Sequence, residues 1–184
     1  MKFNKTLINN SLEAATGIRL IKVRPREFIV ELKKLFGDKK LIGAEVGTFE
    51  GVTSKQILKN LNIERLYLID KYGEEKKFKD AFKKAERNIK GSKERVEWLI
   101  GYSNVVFKNI KEELDFAYID ADHRYKGVKE DIENFYPLIK KGGMLAGDDF
   151  WNVEGYGVIQ AVIEFVNKHN LNLFVSHNRW WIIK

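Results

Sequence analysis

Residues 41–51, LIGAEVGTFEG, limit the folds open to this chain more than any other stretch. The apolar run Leu41 to Val46 predicts a short buried strand. Gly47 and Gly51 punctuate a turn, and Val52 to Leu61 follows with Val52, Ile57, Leu58 and Leu61 as the apolar positions of a helix. A strand, a glycine turn and a helix in that order open a nucleotide-binding α/β unit. Glycine suits the turn because a Cβ would stand between backbone and ligand. The start of the helix adds free N–H groups and the positive end of its dipole.

The turn is not a dinucleotide fingerprint, which would require glycine where Phe49 stands. Glu45, at the strand tip, is also poorly suited to a phosphate, since like charges repel. A carboxylate there suits a cationic ligand carrying an amino group and hydroxyls, which describes S-adenosylmethionine. A solvated turn glutamate is the plainer alternative. Leu66 to Asp70 predicts a second strand ending in an acid. Asp70 falls about twenty residues past the turn, where an acid can accept hydrogen bonds from both ribose hydroxyls of an adenosine ligand. A capping or turn aspartate is its alternative.

The 184 residues suffice for one sizeable core, and 44% hydrophobic with 32% charged residues describes a globular chain rather than a disordered one. The expectation is a single domain over 1–184, with an N-terminal helical region at 1–40 and a Rossmann-like core at 41–184. With 0 cysteines, disulfides, thiolate metal sites and a cysteine nucleophile are excluded. No run of eighteen apolar residues is present, so no membrane partner is expected. Met1 to Asn10 lacks a signal-peptide pattern, and a cytoplasmic location is the default. The formal net charge of +7 permits an anionic partner, but the lysines are spread along the chain rather than bunched.

The rest of the chain alternates. Asn4 to Thr16 is weakly helical, and a helix is expected from Pro25 through Phe36, stopped by Gly37. Glu74 to Asn88 predicts a helix with Phe78, Ala81, Phe82 and Ala85 as its apolar stripe and lysines on its solvated face. Val96 to Ile100 predicts a third strand that runs into Gly101-Tyr102-Ser103, a turn placed to border an adenine. Phe116 to Asp120 predicts a fourth strand. A helix from about Lys126 to Lys140 follows, closed by Gly142-Gly143. Met144 to Gly147 then predicts a fifth strand, ending in Asp148-Asp149. Tyr156 to His169 predicts the last helix, and Leu171–Ser176 with Arg179–Ile183 a terminal hairpin. This alternation predicts an α/β fold: a Rossmann-like, doubly wound, mostly parallel seven-stranded sheet with a C-terminal antiparallel hairpin. Ligands of such sheets sit at the carboxyl ends of the strands, where Glu45, Asp70, Asp120, Asp148 and Asp149 all fall.

Asp120, Asp148 and Asp149 form a second constellation. Carboxylates brought together raise one another's pKa unless a cation compensates, and a hard divalent ion such as Mg²⁺ or Ca²⁺ is the natural choice. Such an ion can lower the pKa of a substrate hydroxyl, and His123 could take its proton near neutral pH. The alternatives are a turn cap at Asp148-Asp149, a plain loop histidine, and an Asp122 that simply pairs with Arg124.

The chain resembles a class I S-adenosylmethionine-dependent methyltransferase. Within that class it is similar to the metal-dependent O-methyltransferases of the catechol and caffeoyl-coenzyme A type and to the sugar-modifying branch. Glu45-Val46-Gly47-Thr48-Phe49-Glu50-Gly51-Val52-Thr53 matches the E-x-G-x-x-x-G-x-S turn, Asp120-Ala121-Asp122-His123-Arg124-Tyr125 the D-A-D-K-x-x-Y segment, and Gly142-Gly143 with Asp148-Asp149-Phe150-Trp151 the G-G…D-N-x-x-W segment. The resemblance implies that Glu45, Gly47, Thr48, Phe49, Asp70, Lys71, Gly101, Tyr102, Ser103 and Asp120 hold S-adenosylmethionine. It implies that Asp120, Asp148 and Asp149 hold a divalent cation, Mg or Ca, and that His123 and Asp120 are catalytic. Thr53 replaces serine, Asp149 replaces the asparagine of the catechol type, and His123 replaces its lysine, as in the sugar branch. The implied reaction is O-methylation of a small hydroxylated acceptor. A nucleic-acid methyltransferase is the first alternative, though Asp120 to His123 lacks the proline-containing turn common in amino-methylating members. A hydroxylase-like or binding member of the fold is the second. Trp151, Trp180 and Trp181 fit a core or a homodimer interface.

Overall fold

Apolar strands separated by amphipathic helices bury both strand faces only if the strands pair edge to edge with helices above and below. A computed structural model describes residues 20–22 and 28–184 of this protein, and they follow that plan. The helix expected over Asn4 to Thr16, and the Pro25 start of the next, lie outside the described residues. The strands are β1 (Leu20–Lys22), β2 (Leu41–Val46), β3 (Ile63–Asp70), β4 (Val96–Ile100), β5 (Leu114–Ile119), β6 (Ile139–Gly147), β7 (Leu173–Ser176) and β8 (Arg179–Ile183). The helices are α1 (Phe28–Phe36), α2 (Val52–Asn60), α3 (Lys76–Asn88), α4 (Ser103–Val106), α5 (Tyr125–Phe135) and α6 (Val158–His169).

The sheet order is β1-β7-β8-β6-β5-β2-β3-β4. Strands β2 to β6 pair in parallel, and β8 runs antiparallel between β6 and β7. All seven expected strands are present, with the antiparallel hairpin at the C-terminal end. A three-residue strand that the sequence did not announce, β1, extends the β7 edge in parallel.

The sheet positions the site through its reversal of direction. From β2 the chain winds out through β3 and β4, then returns to place β5 on the other side of β2. Ligand crevices form at such a switch point. Val46 is in register with Ile119, so the residues that leave β2 and β5 lie side by side. The Asp120 N–H donates to the Val46 carbonyl at 2.7 Å, and the Asp148 N–H to the Ile119 carbonyl at 3.1 Å.

Period-two alternation sends neighbouring residues to opposite faces. Ala44, Val46, Ala117 and Ile119 join Val128, Ile132 and Phe135 of α5 and Val162 and Val166 of α6 in one core. Leu41, Leu66, Phe116 and Tyr118 join Phe28 and Leu32 of α1 and Ile57 and Leu58 of α2 in the other. Glu45 falls on this second face, which aims it at α2.

Most boundaries shift by two or three residues, and one differs more. The helix after Asp120 ends at Phe135 rather than near Lys140, and Gly142-Gly143 lies inside β6. Pro137 has no N–H to continue the helix ladder, so the chain tightens into a 3-10 turn at Tyr136–Leu138 and enters the strand early.

Candidate functional site

A cleft of about 690 Å³ opens over the carboxyl edge of the sheet, at the switch point. All ten residues expected to hold a cofactor line it, together with His123. At Gly47, φ is 95°, and a Cβ would stand 2.0 Å from the Asp120 carbonyl oxygen. Only glycine lets the β2 turn pass that closely beside β5. Thr48 is buried at the next position, and its Oγ1 has no hydrogen-bond partner among the described residues. A buried hydroxyl left unsatisfied at a cleft wall is a group waiting for a polar ligand atom.

Asp70 ties the turn to the end of β3. Its Oδ2 accepts the Phe49 N–H at 2.8 Å and its Oδ1 the Tyr72 N–H at 2.9 Å, while the Tyr72 hydroxyl donates to the Phe49 carbonyl at 2.7 Å. These bonds hold Phe49 at φ 45°, a left-handed conformation that a bulky residue rarely takes. An ionised carboxylate has about four lone-pair directions, so both oxygens of Asp70 can still accept from a ligand.

Glu45 is almost fully buried and accepts a hydrogen bond from the Ser54 hydroxyl. Burial above all, opposed by the Ser54 bond and helped by the charges of Asp120 and Asp70, pushes its pKa up to about 8. A cationic ligand group in the cleft would reverse this and favour the carboxylate. At the far wall, Ser103 Oγ donates to Asp131 Oδ1 at 2.6 Å, and burial raises the Asp131 carboxyl to about 6. Lys71 Nζ lies 5.3 Å from the centroid of the Tyr102 ring, which is exposed at the rim.

The acidic constellation borders this cleft. Burial pushes Asp120 up to about 8, with Asp148 and then Asp149 adding to the effect and Arg179 opposing it. His123 Nδ1 lies 3.1 Å from Asp149 Oδ2, and the imidazole stacks on Tyr156 with centroids 4.9 Å apart. One ligand-type atom from each of Asp120, His123 and Asp149 lies within 4.8 Å of the other two. Two carboxylates and an imidazole fit a divalent cation chemically.

Asp148 is not in that group. It was expected as a third metal carboxylate, yet its Oδ1 accepts from Asn178 Nδ2 at 2.5 Å and from the Asp149 N–H at 2.9 Å. Its Oδ2 accepts from the Tyr118 hydroxyl at 3.0 Å and lies 3.6 Å from Arg179 Nε. The β7–β8 hairpin tip supplies two of these partners and draws the carboxylate toward itself. Asp122 pairs with Arg124, Nη2 to Oδ2 at 2.6 Å, which holds the Asp122 carboxyl below its usual range. Trp180 and Trp181 are core residues, whereas Trp151 is exposed.

Tyr72, Ser54, Asp131 and Asn178 carry site geometry that the sequence reading missed. Tyr72 left the faintest trace, two residues after a strand-tip aspartate, the offset at which an Asx side chain bonds backbone. Ser54, Asp131 and Asn178 act across folded distances and left none.

A doubly wound sheet with an acid-lined cleft at its switch point defines a Rossmann-like fold. Residues 44–150, more than half of the chain, match the family model described as a methyltransferase domain, and the chain belongs to that family. The resemblance drawn from the three sequence segments is thus upheld at the level of the family. The chain is also 30% identical over 143 residues to an uncharacterized protein, R132, of Acanthamoeba polyphaga mimivirus, a match covering 74% of this chain and 62% of that protein. This chain therefore spans less than two thirds of the curated relative it matches.

Solved structures share the fold. The O-methyltransferase NovP is 16% identical with a TM-score of 0.63, over 85% of this chain and 79% of that one. A Streptococcus mutans protein in complex with SAH is 16% identical with a TM-score of 0.68, over 88% and 99%. CalS11, a TDP-rhamnose 3'-O-methyltransferase, is 14% identical with a TM-score of 0.65, over 85% and 76%.

Proposed function

We propose that this protein is an S-adenosylmethionine-dependent methyltransferase that methylates a hydroxyl of a small acceptor with the help of a divalent cation. The observation that carries the reading is the position of Asp120. It lines the cleft and also belongs to the Asp120–His123–Asp149 group, so one carboxylate joins a cofactor site to an acceptor site.

The residues divide the work by place. Gly47 admits backbone to the cleft, and the Thr48 hydroxyl and Asp70 carboxylate offer hydrogen-bond partners to an adenosine ligand. Glu45 lies buried where an ammonium or sulfonium would restore its charge. S-adenosylmethionine supplies a methyl group on a sulfonium, and a divalent cation supplies positive charge that makes a nearby hydroxyl more acidic. Asp120 and Asp149 would hold that cation. His123 has Nδ1 turned to Asp149, which leaves Nε2 to take the acceptor's proton, a division that a carboxylate partner commonly sets for a histidine base. Holding acceptor and donor in line is the larger part of such catalysis.

The test is incubation of the protein with S-adenosylmethionine, a panel of hydroxylated small molecules and Mg²⁺ or Mn²⁺, with SAH formation as readout. Acceptor-dependent SAH that a chelator suppresses supports the reading. Transfer to RNA alone, resistant to a chelator, would replace it with the nucleic-acid reading that the +7 charge favours.

A further inference from the structure

Asp131 is a buried acid that neither the fold nor the proposed chemistry uses. The buried face of α5 is made by Val128, Asp131, Ile132 and Phe135, and all but Asp131 are apolar core residues. Asp131 is 2% exposed. Burial, opposed by the Ser103 bond and helped by the charges of Glu130 and Asp122, lifts its carboxyl to about 6. A carboxylate in an apolar row, with a hydroxyl as its partner and acids as its charged neighbours, weakens a fold at neutral pH. The short helix α4 has other holds on its surroundings: Val106 is buried in the core, and Asn104 Nδ2 donates to Glu130 Oε1 at 3.1 Å. The reason for the acid therefore lies with the residue it touches.

Ser103 lines the cleft where β4 ends. With Asp70 on β3 facing a ribose, and Asp120 and His123 on the β5 side facing the acceptor, the base of an adenosine ligand falls against Gly101, Tyr102 and Ser103. At neutral pH the Asp131 carboxylate is ionised and only accepts, so the Ser103 proton is committed to its Oδ1 at 2.6 Å. The Ser103 hydroxyl is left with lone pairs alone to present to the cleft. A lone pair matches a donor, and the exocyclic amino group is the donor of adenine. Hypoxanthine carries an oxygen in that place, which sets lone pair against lone pair.

We infer that Ser103 selects an aminopurine base in the cleft, and that Asp131 is the positioning residue that fixes the polarity of Ser103 by holding its proton. The inference rests on the cofactor reading of the cleft and deepens it, from a site shaped for adenosine to one that rejects the deaminated base.

The experiment is calorimetric titration of SAH and of S-inosylhomocysteine, in which hypoxanthine replaces adenine, into wild type, Ser103→Ala and Asp131→Val, with thermal unfolding of each. Wild type is expected to prefer SAH about tenfold or more. Ser103→Ala removes the lone pairs and should bring the two affinities within about threefold of each other. Asp131→Val frees the Ser103 proton to donate to the hypoxanthine oxygen, and should also narrow the preference to about threefold. Its unfolding temperature should fall by no more than about 3 °C, since valine continues the apolar row. A purely structural role for Asp131 would lower the unfolding temperature and leave the ratio of the two affinities unchanged. Equal or reversed affinities in wild type overturn the inference and leave the cofactor reading standing. A preference that survives in full in either variant, or an Asp131→Val protein that fails to fold, also overturns it. A wild type that binds neither ligand overturns the methyltransferase reading as well.

Discussion

The two halves of the carboxyl edge are built in different ways. On the side of β2, β3 and β4, the cleft is shaped by backbone: a glycine turn packed against β5, and amides of Phe49 and Tyr72 gathered by Asp70. On the side of β5, β6 and the hairpin, it is shaped by side chains that depend on partners far along the chain, as Asp148 does on Asn178 and His123 on Tyr156. A backbone site tolerates no added volume, whereas a side-chain site can lose a ligand group and keep its shape. Added volume in the first half should therefore show as misfolding, and a lost ligand group in either half as lost binding.

The largest effect is expected at Gly47. Gly47→Ala places a methyl 2.0 Å from a carbonyl oxygen at φ 95°, so strain and overpacking should cost about 3 kcal/mol or more. Thermal unfolding checks this, and a variant as stable as wild type would break the contrast between the halves. Asp149→Ala should leave the unfolding temperature nearly unchanged while lowering divalent-cation affinity about tenfold or more, read by calorimetry. Loss of cofactor affinity in its place would mean that the two halves are not separable. Asp70→Ala should weaken cofactor binding by about 1–3 kcal/mol, since a charged acceptor is removed and the Phe49 turn is released. An unchanged affinity would remove Asp70 from the site.

A smaller effect concerns pH. The folded protein holds Glu45 near 8 against an ordinary value of 4.5, and Asp131 near 6 against 3.8. Both are raised, so the folded state binds more protons than the unfolded state in these windows. Their contribution to stability is complete below the ordinary values and is lost as pH rises through 6 for Asp131 and through 8 for Glu45. Glu45→Gln should flatten the fall in unfolding temperature between about pH 5 and pH 9. An identical slope in the variant would show that Glu45 does not titrate there.

The contrast also explains what could be read from the sequence. The glycine turn, the apolar strands and the acids at their tips are local signals, since period-two burial and the need for φ above zero act within a few residues. They were enough to place the fold and the ten expected residues that line the cleft. Helix ends were harder: Gly142-Gly143 resembled a stop, but Pro137 had already ended the helix for want of an N–H. The acidic half was legible only as a list of carboxylates. Whether Asp148 faces an ion or a hairpin depends on Tyr118, Asn178 and Arg179, which reach it through sheet order and register rather than sequence spacing. The pairing of Ser103 with Asp131 is likewise made between α4 and α5 after both have packed.

The central claim is that the cleft beside Glu45 receives an adenosine-bearing sulfonium ligand. Calorimetric titration of S-adenosylmethionine and SAH into wild type and Thr48→Val tests it most directly, because the Thr48 hydroxyl has no partner among the described residues. One binding site per chain, weakened by about 1 kcal/mol in the variant, is the predicted result. Absence of binding in wild type, or affinity untouched by the loss of the Thr48 hydroxyl and of the Asp70 carboxylate together, would contradict it.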